Sequence, residues 1–282
     1  MTLNKLTEYH RPKKLSEAVD LLKENEGYFP MGGGTWLIPF GDDDVKGIID
    51  LSEAGFKDIR LEEDLLHIGG SVTLRELLNS PEISEHSYEY LVKGIRAEGS
   101  SQLIQTASTI GGRTALARGD SSFLATLAAA DASVVIYGNM ENELKLWDFI
   151  SSPEWREEKC IITAVEINNR DQSQPLTFET IRFIPSAPPV ISLAVGMEFS
   201  NNVVETARIV FSSIKENLVR VTEAESALEG NNFDDKLITE VSEMVRDLIR
   251  PDPDPRGTPE YKKEMASVLL KRALQNLNRE NG

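Results

Sequence analysis

The chain has 282 residues, 40% of them hydrophobic, and this length exceeds what one hydrophobic core usually spans. We therefore expect two domains. The 30 basic and 46 acidic side chains give a net charge of −16. Such a field repels phosphate backbones and anionic lipid, which argues against nucleic acid and membrane surfaces as partners.

Cysteine and histidine are too scarce for most metal sites. Cys160 is the only cysteine, so the chain alone forms no disulfide, thiolate zinc site or iron–sulfur cluster. The three histidines do not have the spacing of a helical zinc site or of an obvious triad; they are His10, His67 and His86. We therefore name no catalytic residue and no metal ligand, and the chain is not a self-contained electron relay.

The N-terminus gives no sign of export. Met1–Lys5 contain no apolar signal core, and no later apolar run approaches membrane-spanning length. These patterns predict a cytoplasmic protein.

Strands and helices alternate in the first half of the sequence. Helices are expected where apolar residues recur at helical spacing, and strands at short apolar runs. The predicted helices are 15–23 with Ser16 as cap, 73–78 opened by a Thr73–Glu76 capping box, 88–97 and 123–130. The predicted strands are 28–31, 47–51, 65–69, 132–137 and 161–167, and 98–108 is a polar connection.

The pattern changes near residue 175. Strands are predicted at 176–183, 190–199 and 207–211, and helices follow. The helices are predicted from a capping box at Thr222 and Glu225, over 234–248, and from Thr258 to 278 with Pro259 in the first helical position. Strands followed by helices are typical of an α+β domain.

Two glycine segments are the most informative motifs. The first is Met31-Gly32-Gly33-Gly34-Thr35 and the second is Thr109-Ile110-Gly111-Gly112. Glycine lets the main chain approach a ligand closely, and its N–H groups can form a concave nest that favours an anion. Either segment alone is commonly a tight turn. The pair together indicates a bound diphosphate.

A Rossmann fold is the nearest competing interpretation of the first segment. Gly32, Gly34 and Asp50 imitate its order of glycines and acidic residue. Pro39 and Gly41 interrupt the stretch that would have to form the phosphate-binding helix. No Gly-Lys-Ser or Gly-Lys-Thr is present either, which argues against a P-loop.

Several motifs in order resemble the FAD-binding subunits of molybdenum hydroxylases, the medium chains of xanthine dehydrogenase and carbon monoxide dehydrogenase type enzymes. The specific part of the resemblance is the two glycine segments, at 29–39 and 107–112. The matching scaffold motifs are Ile48-Ile49-Asp50-Leu51, Ile68-Gly69-Gly70-Ser71-Val72-Thr73 and Asp254-Pro255-Arg256-Gly257-Thr258-Pro259-Glu260-Tyr261. The resemblance covers nearly the whole chain.

The resemblance implies an α+β fold with two domains. Residues 1–174 would form a two-lobed FAD-binding domain of the vanillyl-alcohol-oxidase (PCMH) type, with lobes of about 1–55 and 56–174. Residues 175–282 would form a small α+β domain like the C-terminal domain of the carbon monoxide dehydrogenase flavoprotein, with a three-stranded sheet and helices. FAD would lie between the lobes, with its diphosphate clamped by both glycine segments.

The resemblance also implies a route for electrons. They would leave a substrate at a molybdopterin centre in a large subunit, cross [2Fe-2S] clusters in a small subunit, and reach FAD in this chain. NAD⁺ or another acceptor would then receive them, since flavin converts single-electron arrivals into a two-electron departure.

Cofactor contacts are carried over by position. The resemblance assigns them to Met31, Gly32, Gly33, Gly34, Thr35, Trp36, Thr109, Ile110, Gly111, Gly112, Arg113 and Ser122. Trp36 would cover the cofactor or serve packing only. Cys160 stands where the family often has glutamate, and we interpret it as a small buried residue.

Four positions depart from the family pattern. Arg113 replaces the usual asparagine, Ser122 the usual aspartate, and Gln105-Thr106 the usual Arg-Asn. Arg113 would add a cation at the diphosphate, or else the changes mark a pocket that binds flavin poorly. A degenerate scaffold subunit and an unrelated nucleotide-binding enzyme therefore stay open as alternatives.

Overall fold

A computed structural model describes residues 3–41, 43–84, 88–98, 101–152, 154, 158–168 and 174–281. The strands in chain order are β1 (Glu8–His10), β2 (Tyr28–Met31), β3 (Gly47–Asp50), β4 (Ile59–Glu62), β5 (Leu65–Gly69), β6 (Ser133–Tyr137), β7 (Glu141–Lys145), β8 (Ile161–Asn168), β9 (Leu176–Ile181), β10 (Ile191–Ser200), β11 (Val203–Ser212) and β12 (Val219–Arg220).

The helices in chain order are α1 (Leu15–Glu24), α2 (Leu37–Phe40), α3 (Leu74–Leu78), α4 (Pro81–Ser84), α5 (Glu89–Ala97), α6 (Gln102–Ala107), α7 (Ile110–Leu116), α8 (Ser122–Ala129), α9 (Leu146–Ser151), α10 (Thr222–Leu228), α11 (Asp235–Leu248) and α12 (Pro259–Asn281). A short 3-10 helix, Leu51–Glu53, follows β3. Among the described residues, no helix has both the length and the apolar character needed to cross a membrane.

The chain divides into two compact units. The first comprises residues 1–85, 101–116 and 132–167, and the second comprises 86–100, 117–131 and 168–282. Helices α5 and α8 therefore belong to the second unit although they lie early in the sequence. These two units do not correspond to a single division of the chain near residue 174. The domain boundary that we placed there stays a prediction.

The first unit contains a small parallel sheet near its N-terminus. Its strand order is β1-β3-β2, and both pairs are parallel. Parallel strands need a crossover connection, and α1 connects β1 to β2, which lie on either side of β3. The helix buries Ala18, Val19 and Leu22, at the 3.6-residue spacing that puts them on one face. This face packs with Ile49 and Phe56 in one core cluster.

The larger sheet of the first unit has the strand order β4-β5-β8-β6-β7. Strands β4 and β5 pair as one antiparallel hairpin and β6 and β7 as another. β8 lies between the two hairpins and pairs with β6 antiparallel. All of the first five residues of β8, Ile161–Val165, are buried, as expected for a central strand.

The second unit is built on an antiparallel sheet in the order β12-β11-β10-β9. Alternate residues of β10 face opposite sides of the sheet. Leu193 and Val195 join a core cluster with α11 and α12, whereas Ser192 bonds to α8 on the other face. All eight residues of α8 are buried. The predicted three-stranded sheet thus gains a short fourth strand, Val219–Arg220.

Local signals predicted some helix starts correctly and others wrongly. Thr73 and Glu76 form the predicted capping box of α3. Ser16 is not a cap, because α1 begins at Leu15 with Lys14 as N-cap. Thr222 is likewise inside α10, and its predicted box partner Glu225 instead binds Arg220 and the Ile209 N–H. The predicted polar connection 98–108 contains helix α6.

Candidate functional site

The first glycine segment leaves β2 and turns into a helix of a single turn. Gly34 has a φ of +65°, a conformation that favours glycine. Helix α2 is only four residues long and contains Pro39, so the long helix of a Rossmann fold is absent, as predicted. The backbone N–H groups of Gly33, Gly34 and Thr35 donate to no other residue that the structure describes. They remain available to an anion.

The second glycine segment is helical rather than a loop, which corrects our interpretation. Helix α7 begins at Ile110. The Ile110 N–H donates to the Val72 carbonyl and the Gly111 N–H to the Gly70 carbonyl, each over 2.8 Å. Ile110 is also fully buried. These two N–H groups are therefore used inside the protein, where both attach α7 to the segment after β5.

The two glycine segments lie in direct contact. A Cβ atom on Gly32 would overlap the Thr109 hydroxyl, and one on Gly33 would overlap the Ala107 carbonyl. Only glycine allows this approach, because any side chain would push the segments apart. The predicted pairing of the segments is thus a feature of the structure, although the residues are far apart in sequence.

A cavity of about 450 Å³ opens where the segments meet. Ligand pockets usually measure about 300–1,000 Å³. Ten of our twelve predicted contact residues line it: Met31, Gly32, Gly33, Gly34, Thr35, Trp36, Thr109, Gly111, Gly112 and Arg113. A Cβ on Gly112 would meet only the Thr109 hydroxyl, at 3.0 Å, so Gly112 faces open space. Leu37, the residue after Trp36, also lines the cavity.

Ser122 is not among the residues that line the cavity, so its contact with the cofactor stays a prediction. It opens helix α8 in the second unit and has no exposed surface. Its hydroxyl lies 3.0 Å from the Ser192 hydroxyl, which in turn lies 3.0 Å from that of Thr180. The Ser122 hydroxyl is thus hydrogen-bonded inside the protein, as buried polar groups usually are.

Sequence reasoning missed Ser108 as a site residue. It is 2% exposed and lies at the C-cap of α6, against the cavity. Its Oγ is 3.1 Å from Thr35 Oγ1 and 3.1 Å from Arg113 Nε, so it joins the two glycine segments through side chains. The only signal in the sequence was its place directly before Thr109.

Cys160 is also closer to the cavity than we expected. It is only partly buried, and it lines the cavity just before β8. Burial, together with the nearby Glu158 carboxylate, raises the pKa of its thiol to about 11. The thiol is therefore neutral at physiological pH and acts as a small polarizable wall rather than a nucleophile.

Asp50 stabilises the start of the site without reaching into it. It is 4% exposed and accepts hydrogen bonds from Tyr9, from Arg11 Nε at 2.9 Å and from the Ser52 N–H at 2.9 Å. Burial alone would raise the pKa of Asp50, but these hydrogen bonds outweigh burial and hold the pKa below its usual range. The carboxylate is thus committed to joining β1 and β3, next to Met31.

Chemically, the cavity offers hydrogen-bond donors and apolar walls, but no metal site. The described part of the chain contains no group of three His, Cys, Asp or Glu side chains that could hold an ion. Free N–H groups, a guanidinium and glycines that permit close approach suit a diphosphate. The larger apolar part of the cavity wall, including Met31, Trp36 and Phe149, suits the rings of a nucleotide cofactor.

The fold and the cavity suit a protein that binds a nucleotide cofactor. Residues 4–169 match the family model of the FAD binding domain in molybdopterin dehydrogenase. Residues 182–277 match that of the CO dehydrogenase flavoprotein C-terminal domain. The chain belongs to the family of FAD-binding medium subunits of molybdenum hydroxylases, and FAD is its cofactor.

Two relatives that are similar to this chain over nearly its full length support this assignment. The glyceraldehyde dehydrogenase medium chain of Sulfolobus acidocaldarius is 22% identical, over 95% of this chain and 97% of its own length. The carbon monoxide dehydrogenase medium chain of Hydrogenophaga pseudoflava is 25% identical, over 95% of both chains. The family assignment thereby excludes an unrelated nucleotide-binding enzyme, which was one of the two alternatives left open by the sequence.

Solved structures confirm the fold. The carbon monoxide dehydrogenase from Hydrogenophaga pseudoflava that lacks the Mo-pyranopterin moiety of its cofactor contains a similar chain, with a TM-score of 0.87. The identity is 23% and the likeness covers 98% of both chains. At this identity the likeness establishes the α+β architecture with its FAD-binding and C-terminal domains, and no more.

Proposed function

We propose that the chain is the electron-transfer subunit of a molybdenum hydroxylase complex. In this proposal it takes electrons from iron–sulfur clusters of a partner subunit and passes them from reduced FAD to NAD⁺ or another acceptor. The observation that carries the proposal is the contact of the two glycine segments around one cavity. When bound, the flavin supplies the exchange between one-electron and two-electron transfers.

The residues of the cavity divide into donors and walls. We assign the N–H groups of Gly33, Gly34 and Thr35 to the diphosphate, because they have no partner among the described residues. Arg113 adds a cation that offsets the net charge of −16 locally. Met31 and Trp36 form the apolar wall beside the first segment. The chain's own residues thus bind and orient the cofactor and transfer no proton.

The proposal requires partner chains. The described residues hold no candidate metal cluster, and Cys160 is the only cysteine, so other subunits must deliver the electrons. We propose a molybdopterin-containing large subunit and a [2Fe-2S] small subunit as those partners. The names of the relatives, as medium chains of dehydrogenases, support such an assembly. A cytoplasmic location is part of the same proposal.

A second candidate is a scaffold subunit that has lost tight flavin binding. The scaffold candidate is favoured by two of the departures from the family pattern, Arg113 and Ser122, because the Ser122 side chain is buried and bonded inside the protein. It differs from the first candidate in one measurable property, the occupancy of the purified protein by FAD.

Purification of the complex from its native source tests both candidates. We expect a yellow complex with flavin absorbance, one FAD for each copy of this chain, and copurifying molybdenum and iron–sulfur subunits. Mixing with NADH should reduce the flavin rapidly if NAD⁺ is the acceptor. A colourless complex that cannot be reconstituted with FAD would favour the scaffold, and a yellow complex without metal-containing partners would refute the electron-transfer role.

A further inference from the structure

The hydroxyl of Ser108 occupies a special position between the two glycine segments. It lies 3.1 Å from the hydroxyl of Thr35, in the first segment, and 3.1 Å from Nε of Arg113, in helix α7. Arginine has no acceptor atom, so its Nε–H donates and the Ser108 oxygen accepts. The Ser108 hydroxyl is thus a branch point that fixes one side chain from each segment.

The backbone at Ser108 does not need this hydroxyl for its own placement. The Ser108 N–H donates to the Ile104 carbonyl over 2.7 Å, and the Ser108 carbonyl accepts from the Leu74 N–H over 2.9 Å. Gly33 packs against the preceding carbonyl of Ala107. These contacts already hold the end of α6 in place. What the hydroxyl adds is the orientation of Thr35 and of the Arg113 guanidinium, both of which line the cavity.

We infer that Ser108 is a positioning residue that directs the Arg113 cation and the Thr35 hydroxyl at the diphosphate of FAD. The inference rests on the proposed cofactor site and adds the source of its selectivity. An acidic chain of net charge −16 repels a dianion, so a cation held in one place contributes more than a mobile one. Ser108 therefore selects flavins that carry a diphosphate over riboflavin, which has none.

The test measures flavin affinity in Ser108→Ala, Arg113→Gln and the double variant, each purified as the full chain. Ser80→Ala is the matched control, because Ser80 is also buried at the end of a helix and bonds a carbonyl through its hydroxyl, but it does not line the cavity. FAD and riboflavin are titrated against each flavin-free protein by fluorescence, at several salt concentrations.

We expect Ser108→Ala to weaken FAD binding by about tenfold, with riboflavin affinity unchanged and with a flatter salt dependence. Arg113→Gln should give a similar loss, and the double variant should lose little more, since the two side chains act as one unit. Ser80→Ala should keep wild-type FAD affinity. Thermal unfolding of the flavin-free proteins checks that each variant folds.

Three results would overturn the inference: unchanged FAD affinity in Ser108→Ala, equal losses of FAD and riboflavin affinity, or additive losses in the double variant. Each of them leaves the proposed function intact, provided that the wild-type chain binds FAD. A wild-type chain that binds neither flavin would instead refute the flavin-binding role itself. If Ser108→Ala does not fold, Arg113→Gln still decides whether the cation confers the preference for FAD.

Discussion

At the level of single residues, Gly112 is a position where a side chain would fill the cavity that we assign to the cofactor. It lies in the first turn of α7 and faces open space apart from the Thr109 hydroxyl. A Cβ atom on its neighbour Gly111 would lie 2.9 Å from the Gly70 carbonyl oxygen, to which the Gly111 N–H also donates, so Gly111 belongs to the scaffold. The two adjacent glycines therefore differ: Gly111 is packed in the fold, and Gly112 faces the cavity.

Replacing Gly112 by leucine should abolish flavin binding while leaving the fold intact. The side chain would extend into the cavity that we assign to FAD. We expect FAD affinity to fall by at least about 100-fold, measured by flavin fluorescence. Gly112→Ala is the matched control and should lose less than about tenfold. Equal affinities for the leucine variant and the wild type would show that FAD binds elsewhere.

Asp50 should make stability depend on pH. The pKa of its carboxyl is lowered in the folded protein, so the unfolded state binds the proton more tightly. The stabilisation is complete above the unfolded pKa, about 3.9, and is lost as the pH falls through the folded pKa. Asp50→Asn should cost about 1.5–3 kcal/mol in free energy of unfolding at pH 7, and the difference should shrink below about pH 4.

Urea unfolding of both proteins across this pH range measures the effect. The exposed Asp43, whose ion pair with Lys5 spans 3.9 Å, is the control. Asp43→Asn should change the free energy by less than about 1 kcal/mol at any pH. A difference between Asp50→Asn and wild type that is constant with pH would contradict the assignment.

At the level of elements, the start of helix α12 is held by a buried ammonium. Lys262 is 1% exposed, and its Nζ donates to Asp254 Oδ2 at 2.8 Å and to the Ser213 carbonyl at 3.2 Å. Arg256 bonds the same carboxylate. Burial alone would raise the pKa of Asp254, but these bonds lower it. The family-like motif that begins at Asp254 thus anchors a helix and contributes no ligand.

Asp254→Asn should destabilise the second unit strongly. It leaves the Lys262 ammonium buried without its counter-ion, which typically costs about 3–5 kcal/mol. Chemical denaturation measures the loss. Asp252→Asn, at an exposed carboxyl nearby, should change stability by less than about 1 kcal/mol. Similar stabilities for the two variants would show that the ion pair is dispensable.

The sequence correctly predicted those features that depend only on residues close together in the chain. Helix α12 begins at Pro259 after the capping Thr258, as predicted, and Asp234 caps α11 where a helix was predicted to begin, because a cap needs only the next turn of the chain. These features were readable before any tertiary contact was known.

Contacts across the fold could not be read in this way. Ser108 meets Thr35, 73 residues away, and Ser122 meets Ser192, 70 residues away. Position alone made Ser122 a site residue and left Ser108 out. Glu225 had the spacing of a capping box, but its carboxylate is used by Arg220 instead. In each case a distant or competing partner decided the outcome.

At the level of the whole molecule, the two units are interleaved in sequence. The second unit takes α5 and α8 from the first half of the chain, and α8 is buried along its full length. The helix contacts β10 and β11 of that unit. The sheet that covers α8 therefore comes from the C-terminal half of the chain.

A fragment of residues 1–174 should not fold as an independent flavin domain. It would keep α8 but lose β10 and β11, so that the apolar surface of α8 would be exposed. We expect aggregation, together with binding of a hydrophobic dye, and FAD affinity at least about 100-fold below that of the full chain. Size-exclusion chromatography and flavin titration, with the full chain as control, measure both. A monomeric fragment with full affinity would contradict this expectation.

The position of β8 fixes when the cofactor site can form during synthesis. Chains begin to fold from their N-terminus as they leave the ribosome. Both hairpins of the larger sheet, β4-β5 and β6-β7, are translated before β8, yet β8 is the strand that joins them. Ile161 and Ile162 at its start also line the cavity. A nascent chain that stops before residue 161 already has both glycine segments, but it lacks this wall and the strand that unites the sheet. We therefore expect flavin loading to be restricted to chains that have passed this point.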